Sequence, residues 1–124
     1  MSSKKRVLVV DDEPGILRFV RISLRVAGYD ITTTSSGKEA LQLAQAQNFD
    51  IMLLDILMHP LTGFDVLAKL REFSQIPVIA ITAKSDLGTQ AMDQGANGFI
   101  SKPFMPEQLA RKIEETLDVH KPGG

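Results

Sequence analysis

Short apolar runs alternate along this chain with longer stretches in which apolar residues recur every three or four positions. The short runs span residues 7–10, 29–34, 51–54, 76–81 and 98–101. The first, third and fourth are almost wholly apolar, which is typical of strands buried on both faces of a sheet. The second alternates apolar and β-branched polar residues, as an edge strand does. The pattern therefore predicts five strands, with the second at an edge.

Each predicted strand is followed by a segment with helical periodicity. The first helix opens at Pro14, where the missing N–H costs little, and ends before Gly28. The third is predicted over residues 63–73, and the fourth over 85–94, where weak amphipathicity and the internal Gly88 make it the least stable. Apolar residues expected to face inward are Ile16, Leu17, Val20, Leu24, Ala27, Ala40, Leu41, Ala44, Ala46, Val66, Leu67, Leu70, Phe73, Leu109, Ile113 and Leu117.

Strict alternation of strand and helix predicts an α/β fold. The expected architecture is a single doubly wound, five-stranded parallel sheet in the flavodoxin-like order 2-1-3-4-5, with helices on both faces. We expect one domain over residues 1–124, with a core at about 5–119 and a tail or the start of a linker at 120–124.

Composition narrows the class of protein. Of the 124 residues, 44% are apolar and 23% are charged, as in a globular domain, and the net charge of −1 gives no reason to expect nucleic-acid binding. The absence of cysteine excludes disulfides and thiolate metal sites. No apolar run is long enough for a signal peptide or a membrane span, so we expect a cytoplasmic protein without membrane contact.

Polar residues stand at the carboxyl ends of four predicted strands. Asp11 and Asp12 follow the first strand, Asp55 the third, Thr82 ends the fourth and Lys102 follows the fifth. Because the carboxyl ends of parallel strands share one edge of the sheet, these side chains are expected to meet in the crevice where strands 1 and 3 diverge.

Three carboxylates in one crevice repel one another. Two unit charges about 4 Å apart cost on the order of 4 kcal/mol at an effective dielectric constant near 20, so protonation or a cation must offset the repulsion. Oxygen ligands without Cys or His favour a hard ion, with Mg²⁺ first and Mn²⁺ as an alternative. A carboxylate beside such an ion can attack phosphorus, while a lysine and a threonine hold phosphoryl oxygens.

Five pieces of the chain match one family pattern in order and in spacing. They are Val7-Leu8-Val9-Val10-Asp11-Asp12-Glu13, Leu53-Leu54-Asp55-Ile56, Gly63, Ile81-Thr82-Ala83 and Lys102-Pro103-Phe104. Positions 55 and 82 are 27 residues apart, and positions 82 and 102 are 20 apart. Over roughly residues 5–119 the chain resembles the receiver domains of response regulators, the phosphorylation switches of bacterial two-component signalling, whose fold is that of the chemotaxis response regulator.

The resemblance implies a role for each residue of the crevice. Asp55 would accept the phosphoryl group from a sensor histidine kinase. Asp12 and Asp55 would bind Mg²⁺ directly, Asp11 would act largely through bound water, and the backbone carbonyl of Leu57 would be a third protein ligand. Lys102 would contact the phosphoryl group.

The resemblance also implies how the signal leaves the site. Thr82 and Phe99 would be the switch pair, and the Lys102–Pro103 peptide bond would be cis. The surface of helix 4, strand 5 and helix 5 would then act on an output domain, a downstream protein or a second copy in a homodimer. Such a protein assists its own aspartyl phosphorylation and dephosphorylation and is not a conventional turnover enzyme.

Simpler structural interpretations exist for the same residues. The Asp11-Asp12 pair and Asp55 can serve as caps, Thr82 can simply end a strand, Lys102 can be a solvated loop lysine, and Phe99 can be core. His59 is interpreted as a loop side chain, not a ligand.

Two other functions remain open. The first is a pseudo-receiver that binds partners without phosphorylation, against which the complete set of site residues argues. The second is a phosphohydrolase with an aspartyl nucleophile, which would require an aspartate where this chain has Glu13. The loop after Asp55 also departs from many relatives, with His59 and Thr62 in place of frequent proline and aspartate, so we expect altered loop detail with the site retained.

Overall fold

A five-stranded parallel sheet in the order β2-β1-β3-β4-β5 forms the centre of the protein, in a computed structural model that describes residues 4–119. The strands are β1 (Arg6–Val10), β2 (Asp30–Thr34), β3 (Ile51–Asp55), β4 (Val78–Thr82) and β5 (Gly98–Ser101). The helices are α1 (Pro14–Val26), α2 (Gly37–Ala46), α3 (Gly63–Leu70), α4 (Ser85–Asp93) and α5 (Pro106–Val119). The predicted fold class and strand order are confirmed, whereas the predicted tail at 120–124 lies outside the described residues.

The three middle strands supply most of the core. Alternate residues of β1, β3 and β4 point to opposite faces of the sheet, and those between Val7 and Val10, between Ile51 and Leu54 and between Val78 and Ile81 are fully buried. One face packs against α2, α3 and α4 and the other against α1 and α5. Burying each of the larger side chains among them stabilises the fold by about 1.5–3 kcal/mol, so these strands form a rigid base for the residues that follow their carboxyl ends.

Several predicted boundaries and faces were wrong in detail. Helix α3 ends at Leu70, and Phe73 lies in the turn beyond it with 41% of its surface exposed. The turn forms because the Arg71 side chain hydrogen-bonds to backbone carbonyls that follow it, which a continued helix would not present. Ala27 and Ala46, expected to face inward, are exposed because both lie at helix ends.

The start of β4 also differs from the prediction. The strand begins at Val78 and not at residue 76, because the N–H of Ile76 bonds to Ser74 Oγ and Pro77 has no N–H to offer the sheet. None of the helices within residues 4–119 has the length and apolar character needed to cross a bilayer.

Candidate functional site

Three carboxylates meet at the carboxyl edge of the sheet. Asp55 is the last residue of β3, and Asp11 and Asp12 directly follow β1, the neighbouring strand. One oxygen of each lies within 4.8 Å of the others. Asp11 is fully buried and Asp55 is 4% exposed, while Asp12 is partly open to solvent. The topology therefore brings together residues that are more than forty positions apart in the chain.

The loop between β3 and α3 is pinned against the backbone of Asp55. A Cβ atom on Gly63 would lie 2.6 Å from Ile56 Cα and closer still to the carbonyl oxygen of Asp55, so only glycine fits there. The Gly63 N–H donates to the Ile56 carbonyl at 2.8 Å. Thr62 and Asp65 form a capping box that starts α3 at this point. These contacts hold Asp55 in a fixed position at the edge of the sheet.

Backbone N–H groups two residues downstream orient the polar side chains of this edge. Glu13 N donates to Asp11 Oδ1 at 2.9 Å, and Leu57 N donates to Asp55 Oδ1 at 3.2 Å. These bonds occupy Oδ1 of both carboxylates, and Oδ2 of both lies near Lys102.

Lys102 follows β5 and reaches across the crevice to three acids. Its Nζ lies 3.1 Å from Asp11 Oδ2, 3.8 Å from Asp55 Oδ2 and 2.9 Å from Glu13 Oε1, to which it donates a hydrogen bond. Its peptide bond to Pro103 is cis, as the resemblance implies. Glu13 was not predicted to take part in the site. The sequence did contain a feature that could have predicted its role. Glu13 directly follows Asp11 and Asp12, so it lies at the same edge of the sheet that Lys102 was expected to reach.

The buried crevice disfavours the charged forms of its own carboxyl groups. Burial, reinforced by the charge of Asp11, raises the pKa of Asp55 to about 6 despite the opposing effect of Lys102. Burial likewise raises the pKa of Asp11. Burial alone would lower the pKa of Lys102, but its bond to Glu13 and the charges of Asp11 and Asp55 raise it overall. A lysine whose charged form is favoured thus faces an excess of carboxylates.

The donor set fits a divalent cation. Asp11 Oδ2 is fully buried, and within residues 4–119 the Lys102 ammonium at 3.1 Å is its one close positive partner, with no further donor. A buried carboxylate oxygen can accept more than one partner, so Asp11 Oδ2 retains a lone pair that a bound cation or its water would satisfy. With carboxylate oxygens from Asp12 and Asp55 close by, the ligands are those that hard cations prefer.

The other predicted residues lie on β4, on β5 and in the loop after β3. Thr82 ends β4 almost completely buried, and its Oγ1 accepts a bond from Lys84 N at 3.1 Å. Phe99 is partly buried in the neighbouring strand β5. The side chain of Leu57 is 48% exposed, and the ligand role of its backbone carbonyl stays a prediction. His59 is exposed, as expected for a loop side chain, and its peptide bond to Pro60 is cis, a conformation that was not predicted.

Comparison with known proteins places this geometry in a family. The family model described as the response regulator receiver domain matches residues 7–114. The chain is 45% identical over 108 residues to the transcriptional regulatory protein KdpE of Mycobacterium tuberculosis, which covers 85% of this chain and 48% of that protein. The chain thus spans about half the length of the curated relatives it matches.

Solved structures agree with this assignment. The chemotaxis response regulator CheY4 of Vibrio cholerae superimposes with a TM-score of 0.87 at 33% identity, covering 92% of this chain and 99% of that one. The response regulator TrrA of Thermotoga maritima, solved in complex with Mg²⁺ and BeF, gives a TM-score of 0.83 at 33% identity, covering 90% and 98%. The chain belongs to the response regulator receiver domain family.

Proposed function

We propose that this receiver domain is a phosphorylation-activated switch in which Asp55 accepts a phosphoryl group from the phosphohistidine of a sensor histidine kinase. The observation behind the proposal is the meeting of three carboxylates and a single lysine at one sheet edge, where Lys102 Nζ lies 3.1 Å from a buried oxygen of Asp11. TrrA, a similar protein, was solved with Mg²⁺ and BeF, which supports a site for a divalent cation and a phosphoryl group in this chain as well.

Each residue has a distinct part in the proposed reaction. Asp55 Oδ attacks phosphorus, and the bond from phosphorus to the histidine nitrogen breaks. Asp12, Asp55 and the Leu57 carbonyl would hold Mg²⁺, with Mn²⁺ as an alternative, while Asp11 would act through bound water. The cation, when bound, would favour the ionised form of Asp55, whose pKa is otherwise raised by burial and by the charge of Asp11. Lys102 then exchanges part of its contact with Asp11 and Glu13 for a phosphoryl oxygen.

The bound phosphoryl group would act as a local change of charge with a wider consequence. It adds roughly −1.5 to −2 charges at neutral pH and biases an existing two-state equilibrium. Thr82 binds a phosphoryl oxygen, and the Phe99 side chain changes position in response. The face formed by α4, β5 and α5 then changes its affinity for an output domain, a downstream protein or a second copy. We infer that residues 5–119 form the core of this one domain and that it does not turn over a separate substrate.

The test is phosphorylation by acetyl phosphate in the presence of Mg²⁺, followed by intact mass spectrometry. We expect one adduct of roughly 80 Da, the mass of one phosphoryl group, which disappears when EDTA is added before the donor. The Asp55→Ala variant should give no adduct. The matched control is Asp93→Ala, which removes an exposed aspartate at the end of α4 and should be phosphorylated normally. An adduct that persists in Asp55→Ala would exclude the proposed acceptor.

A further inference from the structure

Helix α4 contains a glycine where helix geometry does not call for one. Gly88 lies in the interior of α4, is buried and does not have a positive φ. Glycine is the poorest helix former after proline, so it weakens the helix at this position. Since the backbone conformation accepts any residue, the reason for glycine must be the space beside it.

That space is filled by the ring of Phe99. A Cβ atom on residue 88 would lie 2.6 Å from Phe99 Cγ and 2.7 Å from Phe99 Cε2, and closer still to Cδ2. All three nearest atoms belong to the ring, at distances that real Cβ atoms do not adopt. The ring therefore packs directly on the backbone of α4, and even alanine at position 88 would have to displace it.

The same ring lies beside the strand that ends at the site. In the register of β4 and β5, Phe99 is opposite Ala80 and Ser101 is opposite Thr82. Ala80 and Phe99 pack into the same core, on the face that α4 covers, and Thr82 points to that face because it is two residues beyond Ala80. Thr82 also accepts the N–H of Lys84, immediately before α4.

We propose that Gly88 is a positioning residue that holds the Phe99 ring on α4 and so sets the resting balance of the switch. The proposal rests on the function proposed above. A side chain at position 88 pushes the ring off the helix, and the apolar ring stays buried by moving toward the small residues Ala80 and Thr82. That movement raises the population of the phosphoryl-binding state before any phosphoryl group arrives.

The first test is a double-mutant cycle read by thermal unfolding without phosphoryl donor or metal. Gly88→Ala should lower the melting temperature by about 5 °C when Phe99 is present, because ring and methyl compete for the same space. In a Phe99→Ala background the same change should raise it by about 3 °C, because alanine is the better helix former. If Gly88→Ala shifts the melting temperature equally and in the same direction in both backgrounds, the proposed clash with the Phe99 ring is wrong.

The second test measures the switch itself by titration with beryllofluoride and Mg²⁺. Gly88→Ala should bind beryllofluoride about fivefold more tightly than the parent chain, at the lower end of ordinary coupling between sites. With Phe99→Ala, the substitution at position 88 should change the affinity little. Unchanged affinity in Gly88→Ala, with the predicted loss of melting temperature, would reject the role in switching. No binding by the parent chain would instead reject the proposed function.

Gly15 provides the matched control. It also lies in a helix, α1, but it is exposed and a Cβ atom there meets nothing within 4 Å. Gly15→Ala should therefore raise the melting temperature slightly without changing the affinity for beryllofluoride. A change in affinity as large as that of Gly88→Ala would show that helix stability, and not the ring, is responsible, and would overturn the proposal.

Discussion

Arg71 and Lys102 are both partly buried cations, one at each end of the sheet, and their partners differ in kind. Arg71 follows α3 near the amino ends of β4 and β5, and among residues 4–119 it donates only to neutral oxygens. These are the carbonyls of Gly95 at 2.9 and 3.2 Å, Ser74 at 3.1 Å and Ile76 at 2.8 Å, and Asn97 Oδ1 at 3.1 Å. Lys102, at the carboxyl end, instead faces the charged groups of Asp11, Glu13 and Asp55.

The two arrangements contribute differently to the stability of the fold. The Arg71 network satisfies its acceptors and ties the segments before β4 and β5 together, so it can only be disrupted at a cost. The Lys102 site contains more negative than positive charge, because one ammonium group is shared among three carboxylates. A cation that binds at the carboxyl edge, and an anion that binds after it, can therefore rearrange the contacts of Lys102. The contacts of Arg71 at the amino edge stay as they are. The amino ends of the strands thus carry contacts that stabilise the fold, and the carboxyl ends carry contacts that can change.

The largest expected effect is at the fixed end. Arg71→Ala should lower the free energy of unfolding by about 3 kcal/mol, because it leaves several partly buried carbonyl groups without a donor. Urea unfolding measures the change. Arg71→Lys is the control, since a single ammonium cannot reproduce the fork of guanidinium bonds and should recover only part of the loss. A loss below about 1 kcal/mol for Arg71→Ala would show that this network does not stabilise the amino end of the sheet.

The next effect has the opposite sign, because it lies at the responsive end. Without metal at pH 7, Asp55→Asn should raise the free energy of unfolding by roughly 2–3 kcal/mol, since it removes a buried charge whose pKa is raised from 3.8 to about 6. Urea unfolding in EDTA measures the gain. A destabilised Asp55→Asn protein under these conditions would contradict this account of the carboxyl edge.

The pH dependence follows from the same shift. The folded chain binds the Asp55 proton more tightly than the unfolded chain, so its contribution to stability is complete below pH 3.8 and is lost as the pH rises through about 6. The parent chain should show this decline in EDTA, and Asp55→Asn should show less of it. Mg²⁺ should restore the stability lost at neutral pH in the parent chain, by mass action on the folded state.

Sequence patterns predicted the fold and the meeting of the carboxylates for a common reason. Strand order fixes which carboxyl ends are neighbours, so Asp11 and Asp55 could be placed together without knowledge of any side-chain conformation. The contact between Glu13 and Lys102 depends on the rotamers of two long side chains 89 residues apart, which periodicity does not encode. The Arg71 network was missed because its acceptors are mostly backbone carbonyls, which leave no mark in a sequence.

The smallest effect concerns Glu13, the one partner of Lys102 that is largely exposed. Its ion pair is screened by solvent, so Glu13→Gln should change the free energy of unfolding by no more than about 0.5 kcal/mol. The rate of phosphorylation by acetyl phosphate should nevertheless rise, by about twofold, because Lys102 loses its nearest acceptor and spends more time near Asp55. Salt should reduce the difference between variant and parent.

The control for that prediction is Glu72→Gln, which changes the net charge equally at an exposed position after α3. If both variants react faster by the same factor, the cause is net charge and not the release of Lys102. If Glu13→Gln reacts more slowly, Glu13 assists the site instead of competing for its lysine. Lys102 would then be held by Glu13 in a productive position, and the carboxyl edge would be as preorganised as the Arg71 end.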